Sequence, residues 1–137
     1  MPSITYQSEP GLSVAEFRTI LIASTLGDRR PVEDLARLEK MLLNADLILT
    51  ARKGGKLIGV ARSVTDQCYC TYLSDLAVHR EYQKLGTGRM LVKQTKATFP
   101  QANLILLSAP KAVAYYPKIG MKKHENCFIS GPEDQVF

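Results

Sequence analysis

Leu76-Ala77-Val78-His79-Arg80-Glu81-Tyr82-Gln83-Lys84-Leu85-Gly86-Thr87-Gly88-Arg89 is the stretch on which the fold turns: an apolar strand runs into a loop of pattern Gln-x-x-Gly-x-Gly, and the loop opens into a helix. A helix start leaves about four backbone N–H groups without internal partners, and the macrodipole adds partial positive charge there. Two glycines let a polyanion approach that backbone closely, so the segment suits a phosphate or pyrophosphate. Lys84 and Arg89 flank the loop and can neutralise what binds.

What the loop lacks narrows the choice. A Walker A loop ends in Gly-Lys-Ser/Thr, whereas Gly88 is followed by Arg89-Met90. A dinucleotide fingerprint needs a third glycine and a position near the first strand. Position 91 is leucine, and the loop falls past the middle of the chain, leaving too little sequence for a doubly wound sheet.

The loop resembles the pyrophosphate loop, Gln/Arg-x-x-Gly-x-Gly/Ala, of the GNAT superfamily of acyl-coenzyme A N-acyltransferases. A second segment, Ala112-Val113-Ala114-Tyr115-Tyr116-Pro117-Lys118-Ile119-Gly120-Met121, is similar to the family's later motif, Ala-x-x-Phe-Tyr-x-Lys-x-Gly-Phe. The two occur in the family's order and together with the preceding strands cover roughly residues 47 to 122. The first 45 residues carry no such signature.

Outward from the loop, the chain reads as strands and helices in alternation. Ile4 to Gln7 suits a short strand. Ser13 is a candidate N-cap with Glu16 completing a capping box, and Val14, Phe17, Ile20, Leu21 and Leu26 recur at helical spacing until Gly27. Pro31 stands near a second helix carrying Leu35, Leu38, Met41 and Leu42. Strands are expected from Asp46 to Arg52 and from Leu57 to Thr65, joined by a hairpin turn at Gly54-Gly55, where glycine accepts positive φ. A long strand from Cys68 to Val78 precedes the loop. The helix after it places Leu91, Val92, Thr95 and Phe99 on one face and ends at Pro100. Leu104 to Leu107 reads as a buried strand from its unbroken apolar character. A short helix near Ala112 to Tyr116, a closing strand or hairpin from Met121 to Ile129, and a frayed tail at Gly131-Pro132-Glu133-Asp134 complete the reading. The order predicts an α+β fold in one N-acetyltransferase domain over residues 1–137. The resemblance implies the GNAT fold, a mixed and mostly antiparallel central sheet flanked by helices.

Composition sets the bounds. With 137 residues, 45% hydrophobic and 23% charged, the chain can bury one ordinary core as a globular protein. No apolar run approaches the ~20 residues that span a bilayer, so no membrane association is expected. The opening Met1-Pro2-Ser3-Ile4-Thr5 lacks the basic and apolar regions of a secretory signal. Three cysteines, none in Cys-x-x-Cys, argue for a reducing compartment, with the cytoplasm as the expected location. The net charge of +5 is scattered rather than gathered into a tail or stripe, so it fits a phosphate-bearing ligand and does not call for nucleic acid. Cys68, Cys70 and Cys127 read as buried small hydrophobes, and two histidines are too few for a convincing metal site, so no metal is expected.

The resemblance then assigns roles. It implies acetyl-CoA as co-substrate, with the pantetheine arm lying along the backbone of Leu76, Ala77 and Val78 and the diphosphate held by Gln83, Lys84, Leu85, Gly86, Thr87, Gly88 and Arg89. A backbone N–H of the same strand would stabilise the developing oxyanion, a term often worth ~3 kcal/mol. Tyr116 matches the tyrosine that protonates the leaving thiolate, and a phenol of pKa ~10 is neutral at pH 7. Pro117 directly follows it, which disfavours α geometry at residue 116. Where the family often has Asn three residues before this motif, the chain has Ala109. The strand positions at which several subfamilies carry a basic Glu or His are Ser74 and Tyr72 here. Asp75, adjacent, resembles the acidic residue of polyamine acetyltransferases and is the candidate base if a strand bulge turns it inward; otherwise it is a structural aspartate.

An alkylamine of pKa ~10.4 is only about 0.04% neutral at pH 7, a cost of ~4.6 kcal/mol, whereas an amine near pKa 8 gives up only ~1.4 kcal/mol. Without an evident base, the expectation leans to a lower-pKa amine or to water-relayed deprotonation by Asp75. Arg29-Arg30, in a connection that borders the acceptor site in relatives, offers an anchor for an acidic group or else solvated surface. His79 and Arg80 read as solvent-exposed or as phosphate contacts. The resulting expectation is an N-acetyltransferase acting on a primary amine of a small molecule or peptide by direct attack in a ternary complex. A non-catalytic acyl-CoA sensor and a fold for another phosphate ligand are the alternatives. Short chains of the family are often dimers, so a homodimer is among the expected assemblies.

Overall fold

The computed structural model describes residues 3–137. The chain forms two compact units, the first ending at Leu107 and the second running from Ser108 to Phe137.

The first unit is built on a five-stranded sheet of order β1-β2-β3-β4-β5: β1 Ile4–Ser8, β2 Leu47–Lys53, β3 Lys56–Thr65, β4 Cys70–Val78 and β5 Asn103–Leu106. The first four strands run antiparallel to their neighbours, and β5 joins β4 in parallel. The fold is therefore α+β with a mixed, mostly antiparallel sheet. Three helices belong to this unit: α1 Val14–Ala23, α2 Leu35–Leu43 and α3 Thr87–Thr98. Alternate residues of a strand face opposite sides of the sheet. Val60 joins a core with Phe17, Ile20 and Leu21 of α1 and Leu38 and Leu42 of α2. Its neighbour Gly59 lies against Leu91 and Thr87 of α3. The first two helices thus cover one face and α3 the other.

Local chemistry explains several boundaries. Ser13 Oγ accepts from Glu16 N–H at 3.1 Å and starts α1. The capping box is not completed by Glu16, whose carboxylate is held by Arg52 at 2.8 Å. Arg52 also binds Glu9 at 2.6 Å, and these hydrogen bonds pull the Glu9 carboxyl from 4.5 down to about 2. Gly27 does not end α1; Ala23 does, and Leu26–Arg29 form a separate 3₁₀ turn entered through Thr25 at φ 72°. The Gly54-Gly55 turn has φ 58° and 82°, as a type I′ hairpin requires. Asp66 accepts the N–H groups of Tyr69, Cys70 and Cys68, which lowers its carboxyl to about 2 and closes the β3–β4 turn.

Several expectations are corrected. Cys68, Cys70 and Cys127 are all exposed. Cys68 lies in the turn before β4 rather than in the strand, and the Asp66 charge raises its thiol pKa. The strand expected at Leu104 to Leu107 is Asn103–Leu106 and forms an edge, not a buried core strand: Ile105, and Leu107 just beyond it, are both close to half exposed. Among the described residues no strand forms over Met121 to Ile129. In the second unit a 3₁₀ turn, Pro110–Ala112, precedes a one-turn helix α4, Tyr115–Lys118. The tail at Gly131 is tied rather than frayed, since Gly131 N–H donates to Asp134 Oδ2 at 2.8 Å and Asp134 N–H to Gly131 O at 3.0 Å.

Candidate active site

β4 and β5 pair only over Cys70–Leu73 and Asn103–Leu106. From Ser74 to Val78 the β5-facing edge of β4 has no strand beside it among the described residues. The parting coincides with an irregularity on the other side: Arg62 pairs with Asp75 and Ser63 with Leu73, so Ser74 is the extra residue of a bulge. A bulge bends its strand and raises the local twist. Leu76, Ala77 and Val78 therefore lie on a strand edge that can accept an extended ligand. One of its carbonyls is already engaged, since Gln83 Nε2 donates to Val78 O at 3.1 Å.

The loop then climbs to α3 with two left-handed residues, Lys84 at φ 67° and Gly86 at φ 81°. Gly86 is the N-cap and supplies no side chain to the first turn, which Met90 N–H closes by donating to Gly86 O at 2.9 Å. A Cβ at Gly86 would meet no atom within 4 Å, so the space before the helix is open. The leading N–H groups of α3 are thus free of a capping side chain, and an anion fits there without displacing one. Lys84, Leu85 and Arg89 are exposed, Gly88 is half-buried and Thr87 is buried, with its hydroxyl lacking a partner. Gly59 permits this seating: its missing side chain leaves room for Thr87 and Leu91. The residues present fit a diphosphate ester.

Asp75 is fully buried on the face covered by α1 and α2. Arg30 Nε donates to its Oδ1 at 2.5 Å, and Arg62 Nε donates to Oδ2. Arg30 also donates to Ser74 O at 2.7 Å, and Arg62 to Ser74 Oγ at 3.1 Å and to Met41 O at 3.2 Å. Both carboxylate oxygens, and the carbonyl and hydroxyl oxygens of Ser74, are occupied by guanidinium groups. The clamp fastens β4 to the α1–α2 connection and to the last turns of α2. Tyr72, the other position considered for a base, is part exposed, and its strand partners are Val64 and Ile105.

His79 and Arg80 have structural partners. His79 Nδ1 accepts from Glu81 N–H at 3.2 Å, and Arg80 Nε donates to Ala23 O at 3.1 Å, capping the end of α1. Tyr116 lies in α4 of the second unit, edge-on to Tyr115 with ring centroids 5.3 Å apart. Pro117 does not prevent the helical turn, because it sits in a first turn whose N–H groups need no intrahelical acceptor. The partnership of Asp75 with Arg30 and Arg62 was not legible in the sequence, where Arg29-Arg30 reads as an anchor for an acidic acceptor group or as solvated surface.

A family model described as the acetyltransferase (GNAT) family matches residues 14–121. The chain belongs to the GNAT acetyltransferase family. The match runs through both GNAT-like segments, Gln83 to Gly88 and Ala112 to Met121. GNAT chains of known structure share the architecture. A GNAT family acetyltransferase from Streptococcus pneumoniae superposes with a TM-score of 0.78 at 22% identity, covering 96% of this chain and all of that one. An aminoglycoside N-acetyltransferase in complex with CoA gives 0.72 at 16% identity, with 97% of each chain covered. Among curated relatives, uncharacterized N-acetyltransferases named ycf52 are 27% identical over 96 residues in Pyropia yezoensis and 28% identical over 109 in Gracilaria tenuistipitata var. liui. These alignments cover 65% and 77% of the present chain. It spans about half the length of those relatives, 55% and 56%. Among the described residues no helix is long and apolar enough to cross a membrane.

Proposed function

We propose that this GNAT chain is an N-acetyltransferase that moves an acetyl group from acetyl-CoA to a primary amine of a small molecule or peptide. Residues 1–137 act in this reading as one N-acetyltransferase domain. The observation that carries it is the uncapped start of α3 beside a strand edge opened by the Ser74 bulge. The loop from Gln83 to Arg89 would hold the diphosphate, and the backbone of Leu76, Ala77 and Val78 the pantetheine arm. Acetyl-CoA, when bound, supplies the activated acetyl thioester.

This chain's own part is to hold the donor and deliver a proton. A proton for the departing thiolate is assigned to the Tyr116 hydroxyl from the motif Ala112 to Met121. Asp75 is read as the anchor of the bulge, because its two oxygens are already taken by Arg30 and Arg62. The attacking amine then loses its proton to water, which suits an amine of low pKa. Ser74 contributes through its backbone, its hydroxyl being held by Arg62.

Calorimetric titration with acetyl-CoA, followed by thiol-release assays over a panel of amines, tests the proposal. Binding with turnover on an amine supports it. Binding without turnover on any amine class replaces it with an acyl-CoA sensor, and preference for a mononucleotide over CoA removes both.

A further inference from the structure

The clamp at the bulge is not electrically balanced. Arg30 and Arg62 share one carboxylate, Asp75, which is the sole acidic residue of β4. The neighbouring turn does not correct this, since exposed Asp28 is offset by exposed Arg29. One positive charge therefore remains where β4 parts from β5. The two guanidinium groups are not equivalent. Arg62 is 9% exposed, whereas Arg30 is 21% exposed. Arg30 engages Asp75 through Nε, Ser74 O through Nη2 and Arg29 O through Nη1. A guanidinium has five N–H donors, so two remain on a group already rigidly aimed.

We infer that the acceptor carries an anionic group, a carboxylate above all, and that Arg30 is the residue that anchors it. The inference rests on the acetyltransferase reading and specifies its substrate class: peptides or amino-acid-like amines bearing a carboxylate, rather than polyamines or aminoglycosides. Two physical points agree. A polycationic acceptor needs free carboxylates, and the one on β4 is sealed under two arginines. A peptide α-amine near pKa 8 also needs no strong base, which the bulge does not offer. Asp75 is accordingly a positioning residue, holding Arg30 against Ser74 O at the bulge where β4 parts from β5.

The experiment compares a short peptide with its C-terminal amide, whose α-amines titrate alike, together with spermidine and an aminoglycoside. Wild-type protein should show a kcat/KM for the acid about ten- to hundredfold above that for the amide, the range of a hydrogen bond to a charged group. The preference should sit in KM and shrink as salt is raised. Arg30→Gln should bring the kcat/KM for the acid down to that for the amide. If that variant does not fold, the wild-type ratio and its salt dependence decide the matter. Equal turnover of acid and amide, or better turnover of spermidine or the aminoglycoside, overturns the inference and leaves acetyl transfer standing. Acetyl-CoA binding with no turnover on any of them overturns both.

Discussion

Gly59 of β3 lies directly beneath Thr87, the first residue of α3: a Cβ on Gly59 would come within 3.1 Å of Thr87 Cγ2 and of Leu91 Cδ1. The height of the helix start above the sheet is therefore set by the absence of one methyl group. Leu91 ends in a flexible methyl that can give way, whereas Thr87 is β-branched and stiff.

Gly59→Val should destabilise the fold by about 1–3 kcal/mol through overpacking, with Gly59→Ala costing less. Both should weaken acetyl-CoA binding as α3 is displaced. Urea unfolding and calorimetric titration measure the two effects separately; a stability loss without an affinity loss would uncouple the seat from the loop.

Gly86 has φ 81° with no atom near its absent side chain. The cost of Gly86→Ala is thus conformational, about 1–2 kcal/mol for a left-handed residue with a Cβ. Gly86→Asn should cost less, because asparagine tolerates that region. Unfolding midpoints of the two variants check the order.

Tyr116→Phe removes the proposed proton donor and little else of shape. The acetylation rate should fall by about 10²–10⁴-fold, with the Kd for acetyl-CoA unchanged. Single-turnover assays with a peptide acceptor read this directly. An unchanged rate would take Tyr116 out of the mechanism.

Asp75→Asn leaves Arg30 and Arg62 without their shared counter-charge. Breaking one partner of a buried ion pair costs about 3–5 kcal/mol, so the thermal midpoint should drop sharply. The pH dependence of kcat/KM in whatever activity remains should keep the wild-type limbs. A lost limb would restore Asp75 as the proton acceptor.

Glu9 titrates at about 2 in the folded chain, below its ordinary 4.5, because Arg52 donates to its carboxylate. A lowered folded pKa stabilises the fold above the unfolded pKa and is lost as pH falls through the folded one. The contribution should therefore be complete above about 4.5 and fade toward 2. The group is partly solvent-screened, so about 1–2 kcal/mol is expected. Denaturant titrations between pH 2 and 7 should show a shallower acid slope for Glu9→Gln.

Features governed by neighbours in sequence were legible from it. Gly54-Gly55 turns the chain because two consecutive residues need positive φ. Ser13 starts α1 because its hydroxyl reaches an N–H three residues on. The loop from Gln83 to Gly88 is of the same kind, a strand end, a left-handed glycine and a helix start within a dozen residues. The strand expected over Met121 to Ile129 failed for the complementary reason: a strand requires a partner, and an apolar or mixed segment does not by itself name one. Leu104 to Leu107 likewise reads as apolar whether it lies inside a sheet or at its edge.

The sequence alone thus determined the family, the glycine loop that opens α3 and the candidate proton donor, because each is written in contiguous residues whose backbone chemistry is local. The partners of Asp75 were decided only in three dimensions. Its partners stand 45 and 13 positions away, and whether a carboxylate serves as a base or as a counter-ion depends on which charges the fold brings against it. Alternation along β4 gives the direction in which Asp75 points; only the packing of the α1–α2 connection and of β3 against that face puts two guanidinium groups there.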